Sequence, residues 1–188
     1  MEDLRLLFLI TKLLGKNKPI LEHGRRVAKL ACAVGEKMKY CDAGLEHIRF
    51  AAIVHDIGKT KILAEIVNKP GALDENERFL IRKHPELGYR LLKFVRADLM
   101  VAEVALQHHE RLDGSGYPFG LKAKDINPVS RIITVCDVID TMVSAQVYRP
   151  ALPLDKALKE IRENSGLLYD SQVADVILAL SEKGKLSN

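Results

Sequence analysis

One stretch constrains this chain more than any other: Phe50-Ala51-Ala52-Ile53-Val54 is apolar on every side and runs straight into His55-Asp56. With the rest of residues 43–55 it reads as a central, fully buried helix. A carboxylate at the foot of such a helix is an anomaly, because burying it unpaired is strongly unfavourable. Asp56 therefore needs a partner or a bound cation. Asp137 poses the same problem inside Arg131-Ile132-Ile133-Thr134-Val135-Cys136-Asp137-Val138-Ile139, where it must be protonated or paired. Two adjacent imidazoles, His108 and His109, close another helical stretch and are followed by Glu110 and Asp113. A metal ion satisfies all of these groups together.

The pattern around these residues is helical. Leu4, Leu7 and Phe8 share a stripe over residues 3–14, which Gly15 and Pro19 end. Val27, Leu30, Ala31 and Val34 line one face of residues 21–38, and Asp42 is placed to cap the helix over 43–55. Residues 59–74, with Pro70 and Gly71, read as loop with short turns. Asp74 caps a helix reaching residue 83, with Glu77 as its capping-box partner. Pro85 suits the first turn of a helix over 85–94, and another follows over 97–109. Gly114, Gly116, Pro118 and Gly120 mark residues 111–127 as loop. Pro128 starts a helix over 128–144, and amphipathic helices over 155–164 and 171–180 complete the chain before a polar tail from Glu182. No segment alternates as a strand does. The expectation is an all-α fold, a single compact helical domain over residues 1–188 with its core at 21–180.

Composition narrows the function classes. The 5% aromatic content and the absence of Trp favour aliphatic helix packing. A formal charge of +4, with no basic run interleaved with aromatics, argues for small anionic ligands in general and against a nucleic-acid polymer. No run is long and apolar enough for membrane insertion, and the N-terminal stretch opens with Glu2 and Asp3 and has no cleavage site. Cys32, Cys41 and Cys136 are odd in number and widely spaced, which is no disulfide framework. The expected compartment is the cytoplasm.

Mixed imidazole and carboxylate donors suit borderline or hard ions: iron, manganese, zinc, cobalt or nickel. The donors outnumber what one ion needs, and the two oxygens of Asp56 suit it to bridge a pair. Two divalent ions about 3.5–4 Å apart suit phosphoryl displacement, one activating water and both neutralising phosphate oxygens. Lys59 follows Asp56 by three residues and, on a continuing turn, points to the same side to meet charge building on phosphate.

At this point the sequence resembles a known family. His55-Asp56-Ile57-Gly58-Lys59 is similar to the signature of the HD superfamily of metal-dependent phosphohydrolases. His108-His109-Glu110-Arg111-Leu112-Asp113-Gly114-Ser115-Gly116-Tyr117-Pro118 resembles the second signature of its HD-GYP branch. His23-Gly24-Arg25-Arg26-Val27-Ala28, Lys69-Pro70-Gly71, His84-Pro85-Glu86-Leu87-Gly88 and Pro128-Val129-Ser130-Arg131-Ile132 fit the same pattern, which spans residues 21–179. The resemblance implies hydrolysis of cyclic di-GMP to pGpG or onward to GMP, with iron or manganese. It implies His23, His55, Asp56, His84, His108, His109 and Asp137 as metal ligands, Asp56 and Lys59 as catalytic residues, and Tyr117 and Arg149 at the substrate. Two departures stand out. Pro19 occupies the place where three-metal members carry glutamate, which implies a two-metal site. Gln146 replaces the first arginine of Arg-Pro-Tyr-Arg, which removes a phosphate or guanine contact.

Plainer readings apply elsewhere. His47 lies off the motifs and reads as structural. Glu110, Asp113 and Asp140 orient a ligand imidazole or cap a turn, and Lys122 and Arg131 steer phosphate or face solvent. Two other functions stay open: an HD-type phosphohydrolase for another cyclic dinucleotide or nucleotide, and a non-catalytic nucleotide-binding module that docks on a regulatory protein or a diguanylate cyclase.

Overall fold

The computed structural model describes residues 12, 14–145 and 150–182. Most of the helix expected over 3–14, the segment holding Gln146 and Arg149, and the tail beyond Glu182 lie outside the described residues.

Helix α1 (Lys18–Lys37) carries Pro19 in its first turn, where the missing N–H has no helical acceptor to lose. Its buried stripe is Ile20, Val27, Ala28, Ala31 and Val34. Helix α2 (Asp42–Val54) begins one residue earlier than expected: Cys41 takes the capping position in extended backbone, and Asp42 sits inside the first turn, where its charge complements the helix dipole. A 3-10 turn over Ile57–Lys61 follows, then α3 (Ala64–Val67) and α4 (Glu75–Ile81). The Asp74–Glu77 capping box is complete in both directions. Helix α5 (His84–Phe94) carries Pro85 in its first turn. Helix α6 (Leu99–Gln107) is shorter than the expected 97–109. Arg96 adopts a left-handed φ of 58°, Asp98 caps the helix by accepting from the Met100 N–H, and the helix closes with His108 at its C-cap. A 3-10 turn over Ala123–Asp125 precedes α7 (Pro128–Val143), whose cap Asn127 accepts from the Val129 N–H. Helices α8 (Leu154–Glu163) and α9 (Ser171–Glu182) complete the bundle. Among the described residues there is no β-sheet, only isolated bridges between Asp113 and Lys122 and between Ser165 and Tyr169. Among them, too, no helix is long and apolar enough to cross a membrane.

Helix α2 packs between α1 and α6, α5 lies on α6 and the Ile57–Lys61 turn, α7 crosses α1 and α6, and α8 and α9 cover α7. The central helix is α7 rather than α2. Residues Ile132, Ile133, Thr134, Val135, Cys136 and Asp137 are buried in succession, more than one full turn. In α2, Ile48, Ala51, Ala52 and Val54 are buried, whereas Phe50 and Ile53 are only half-buried and Glu46, His47 and Arg49 face solvent. An apolar run records which residues tolerate burial, not how many neighbours the fold provides. Each fully buried isoleucine of this core (Ile48, Ile57, Ile132, Ile133, Ile161, Ile177) contributes roughly 1.5–3 kcal/mol over an exposed one.

Two glycines set how closely the helices meet. A Cβ on Gly24 would overlap the Ile53 carbonyl, so α1 touches α2 beside His23 and His55 only because Gly24 has none. A Cβ on Gly58 would overlap the His84 carbonyl oxygen and lie 2.6 Å from the Gly88 nitrogen. That contact seats Asp56 against His84.

Candidate metal centre

Five helices and one turn converge on one buried point. His23 comes from α1, His55 from the end of α2, and Asp56 from the start of the following turn. His84 is the first residue of α5, His108 and His109 follow α6, and Asp137 comes from the middle of α7. His55, Asp56, His84, His108 and Asp137 are buried, and His23 and His109 are half-buried.

The imidazoles are held so that one nitrogen faces inward. Nδ1 of His55 lies 2.7 Å from the Ala52 carbonyl, that of His84 2.7 Å from Ile81, and that of His108 3.0 Å from Ala105. A carbonyl oxygen only accepts, so each Nδ1 donates, and each Nε2 is the atom turned to the centre. His23 is held differently: its Nδ1 is 2.7 Å from Asp140 Oδ2, and Arg26 grips the same carboxylate through Nε at 2.8 Å and a second nitrogen at 3.0 Å.

The inward atoms form two groups joined by Asp56. His84 Nε2 and His108 Nε2 lie 3.2 and 3.6 Å from Asp56 Oδ1, and these donors with His109 lie within 4.8 Å of one another. His23 Nε2 and His55 Nε2 each lie 3.8 Å from Asp56 Oδ2, forming the second group. Asp137 Oδ1 approaches that group at 3.0 Å from His23 and 3.7 Å from His55. Lys59 Nζ donates to Asp56 Oδ2 at 2.5 Å.

This donor set fits divalent metal. His55 Nε2 and Asp56 Oδ1 are fully buried with no hydrogen-bond partner among the described residues, a costly condition for polar atoms. His84 Nε2 and His108 Nε2 face each other at 3.1 Å, a contact that only a shared proton or a cation satisfies. Protonation states agree with it. Burial opposes the charge on Asp56, but the Lys59 ammonium and His55 prevail and hold the carboxyl well below its usual range. Burial also opposes charge on Asp137, which His23 and His55 keep ionised. Burial pushes His108 down to about 4 and drives His109 well below its ordinary value, so both are neutral donors at physiological pH. For His23 burial is outweighed by the hydrogen bonds it donates to Asp137 and Asp140, and its pKa rises to about 10.

Tyr117 stacks on His109 with ring centroids 4.7 Å apart and planes 22° apart. Its loop is pinned by Glu110, whose buried carboxylate accepts from the Phe119 N–H at 2.8 Å and the Leu121 N–H at 3.0 Å. Arg82, at the end of α4, holds its guanidinium over the Tyr117 ring, 5.0 Å from the centroid.

The other sequence candidates lie apart. Arg131 donates to the Ala123 and Ile126 carbonyls and to Asp170, tying the loop to α7. Lys122 is exposed, its backbone paired with Asp113, and Arg149 lies outside the described residues. Sequence reasoning missed Arg26 and Arg82. Arg26 had a signal, since it follows His23 by three residues and so shares its helix face. Arg82 had none beyond its place two residues before His84.

Comparison with known proteins agrees with this arrangement. Residues 9–173 match the HD domain family. A cyclic di-GMP phosphodiesterase of Thermotoga maritima is 39% identical over 163 residues, covering 86% of this chain and 44% of that protein. The 3'3'-cGAMP-specific phosphodiesterase 3 of Vibrio cholerae is 37% identical over 150 residues, covering 80% of this chain and 33% of that protein. The chain thus spans less than half the length of either relative. The fold resembles that of Bd1817, an HDG"Y"P protein from Bdellovibrio bacteriovorus, with a TM-score of 0.72 at 21% identity over 87% of this chain and 52% of that one. The chain belongs to the HD-domain family and is related to proteins named as cyclic dinucleotide phosphodiesterases.

Proposed function

We propose that this chain is a metal-dependent phosphodiesterase that opens cyclic di-GMP to linear pGpG, with two ions, iron or manganese. The observation that carries the reading is the pair of orphaned buried atoms, His55 Nε2 and Asp56 Oδ1, amid inward-turned imidazoles. His84, His108, His109 and Asp56 would hold one ion, and His23, His55, Asp137 and Asp56 the other. Ions bound there supply the Lewis acidity that diester hydrolysis needs, offsetting charge on phosphate oxygens and acidifying water. The nitrogen and oxygen donors, with no thiolate among them, favour iron or manganese.

The protein's own groups do the rest. Asp56, shared by both groups, fixes their separation. The helix carbonyls hold His55, His84 and His108, and Asp140 holds His23, in the orientation that presents Nε2. Lys59, beside Asp56, is placed to meet a non-bridging phosphate oxygen as negative charge builds. Tyr117 walls the His109 side and limits water there.

The Vibrio relative named for 3'3'-cGAMP favours a second reading, another cyclic dinucleotide as substrate. The test is anaerobic loading with Fe(II) or Mn(II), metal quantitation, and chromatography of products from cyclic di-GMP, 3'3'-cGAMP and cyclic di-AMP. Conversion of cyclic di-GMP to pGpG is expected. Hydrolysis of bis(p-nitrophenyl) phosphate without turnover of any cyclic dinucleotide would refute the substrate. Bound metal and nucleotide with no turnover would mark the chain as a binding module, with the natural place for a diguanylate cyclase or regulatory partner.

A further inference from the structure

We propose that Arg82 is a substrate-binding residue that holds the second, non-scissile phosphate of a cyclic dinucleotide. The inference rests on the cyclic-dinucleotide reading above. Such a substrate carries two phosphodiester charges, and the metal centre with Lys59 receives only one. The other needs its own cation within reach of the same site.

Arg82 meets the physical requirements. Its side chain is exposed and makes no ion pair or hydrogen bond with the described residues, so no carboxylate among them competes for it. Its position is nevertheless defined. The guanidinium lies over Tyr117 at 5.0 Å, and Tyr117 stacks on His109 at 4.7 Å, so two ring contacts connect it to the metal cluster. The backbone is fixed from the same direction: Arg82 follows Ile81, whose carbonyl orients the His84 imidazole at 2.7 Å. A guanidinium seated on an aromatic face keeps its N–H edge free, and its planar fork matches two oxygens of a phosphate. The neighbouring Lys83 differs on each point: it pairs with Glu86 at 3.1 Å and leans over Phe79.

The test compares a substrate with a second phosphate to one without. Steady-state kinetics of the metal-loaded protein are measured on cyclic di-GMP and on bis(p-nitrophenyl) phosphate for wild type, Arg82→Gln and Arg82→Lys. Calorimetric Kd values for the bis-phosphorothioate analogue of cyclic di-GMP provide a readout independent of turnover. Arg82→Gln is expected to raise KM for cyclic di-GMP and Kd for the analogue by about 10- to 100-fold, the loss of one charge-assisted contact. Its kcat/KM on the artificial diester should stay at the wild-type value, and Arg82→Lys should recover part of the loss. Unchanged KM and Kd would overturn the assignment. Equal losses on both substrates would also overturn it, since Arg82 would then act only by seating Tyr117. A wild-type protein that cleaves the artificial diester but no cyclic dinucleotide would sink the underlying substrate reading instead.

Discussion

Gly58→Ala tests whether the fold and the metal centre are one problem. The added methyl would overlap the backbone oxygen of His84 and stand 2.6 Å from the Gly88 nitrogen, both main-chain atoms of α5. No rotamer change relieves such a clash, so α5 must move away from the Ile57–Lys61 turn. Overpacking of this kind costs roughly 1–3 kcal/mol. For a chain of this size the melting temperature then falls by about 2–12 °C. The displacement has a direction: it draws His84 Nε2, 3.2 Å from Asp56 Oδ1, out of the group that includes His108 and His109. The His23, His55 and Asp137 side is untouched, because its contacts run through α1, α2 and α7 rather than α5. Metal content after anaerobic loading should therefore drop from two ions toward one per chain, read by elemental analysis alongside a thermal melt. A variant that melts within about 1 °C of wild type and keeps both ions would refute the close-approach argument.

Three further outcomes follow from the same geometry. Lys59→Ala should retain both ions and lose about 100- to 1000-fold in kcat, and full activity would remove Lys59 from the chemistry. His23, with its pKa raised to about 10, is protonated in the metal-free protein at pH 7–9, so an ion that binds there must displace that proton. Metal affinity should rise by about tenfold per pH unit over that window, and the proton release seen by calorimetry in two buffers should drop by about one in His23→Asn; equal release in both proteins would contradict it. Glu110→Gln replaces one acceptor by an N–H facing a backbone N–H, which should destabilise the protein by about 1–3 kcal/mol and speed proteolysis within residues 114–121; an unchanged melt and digestion rate would count against the loop anchor.

Among the proposed ligands, Asp56 and Asp137 were legible in the sequence because their positions are anomalous by burial alone, whereas His23 and His84 were reached only through the resemblance. Asp56 after Val54 and Asp137 among Ile133, Val135 and Ile139 have no tolerable uncharged environment. The helical period also placed most elements, and Pro85 and Pro128 lie in first turns as expected; Pro19, read as ending the preceding helix, instead lies in the first turn of α1, which starts at Lys18 rather than residue 21. What failed was rank and reach. The period of residues 43–55 could not reveal that α2 would have an open side while α7 would be surrounded. Arg131 was open to steering phosphate or facing solvent; carbonyls of the loop before α7 take its donors, a pairing that depends on loop path rather than pattern. Arg82 meets Tyr117 only because the loop after α6 folds back over α4, so its contact has no local trace.

The imidazoles show where local reasoning stops. His55, His84 and His108 each stand just past a helical last turn and donate from Nδ1 to the carbonyl three residues back, at Ala52, Ile81 and Ala105. Carbonyls of a last turn have no helical N–H to accept, so the end of each helix supplies the partner that fixes its histidine. Orientation at these three positions is therefore written locally, in the helix stop. His23 lies inside α1, where the preceding carbonyls are engaged by the helix itself. It must take its partner from another element, and Asp140 of α7, clamped by Arg26, provides it. Carboxylate partners differ from a carbonyl in charge, so Asp137 first and then Asp140 raise the pKa of His23 to about 10, while burial keeps His108 at about 4. His108 and His109 are thus neutral donors, whereas His23 carries a proton until metal displaces it, and the ion on the His23 side should be the one lost first as pH falls.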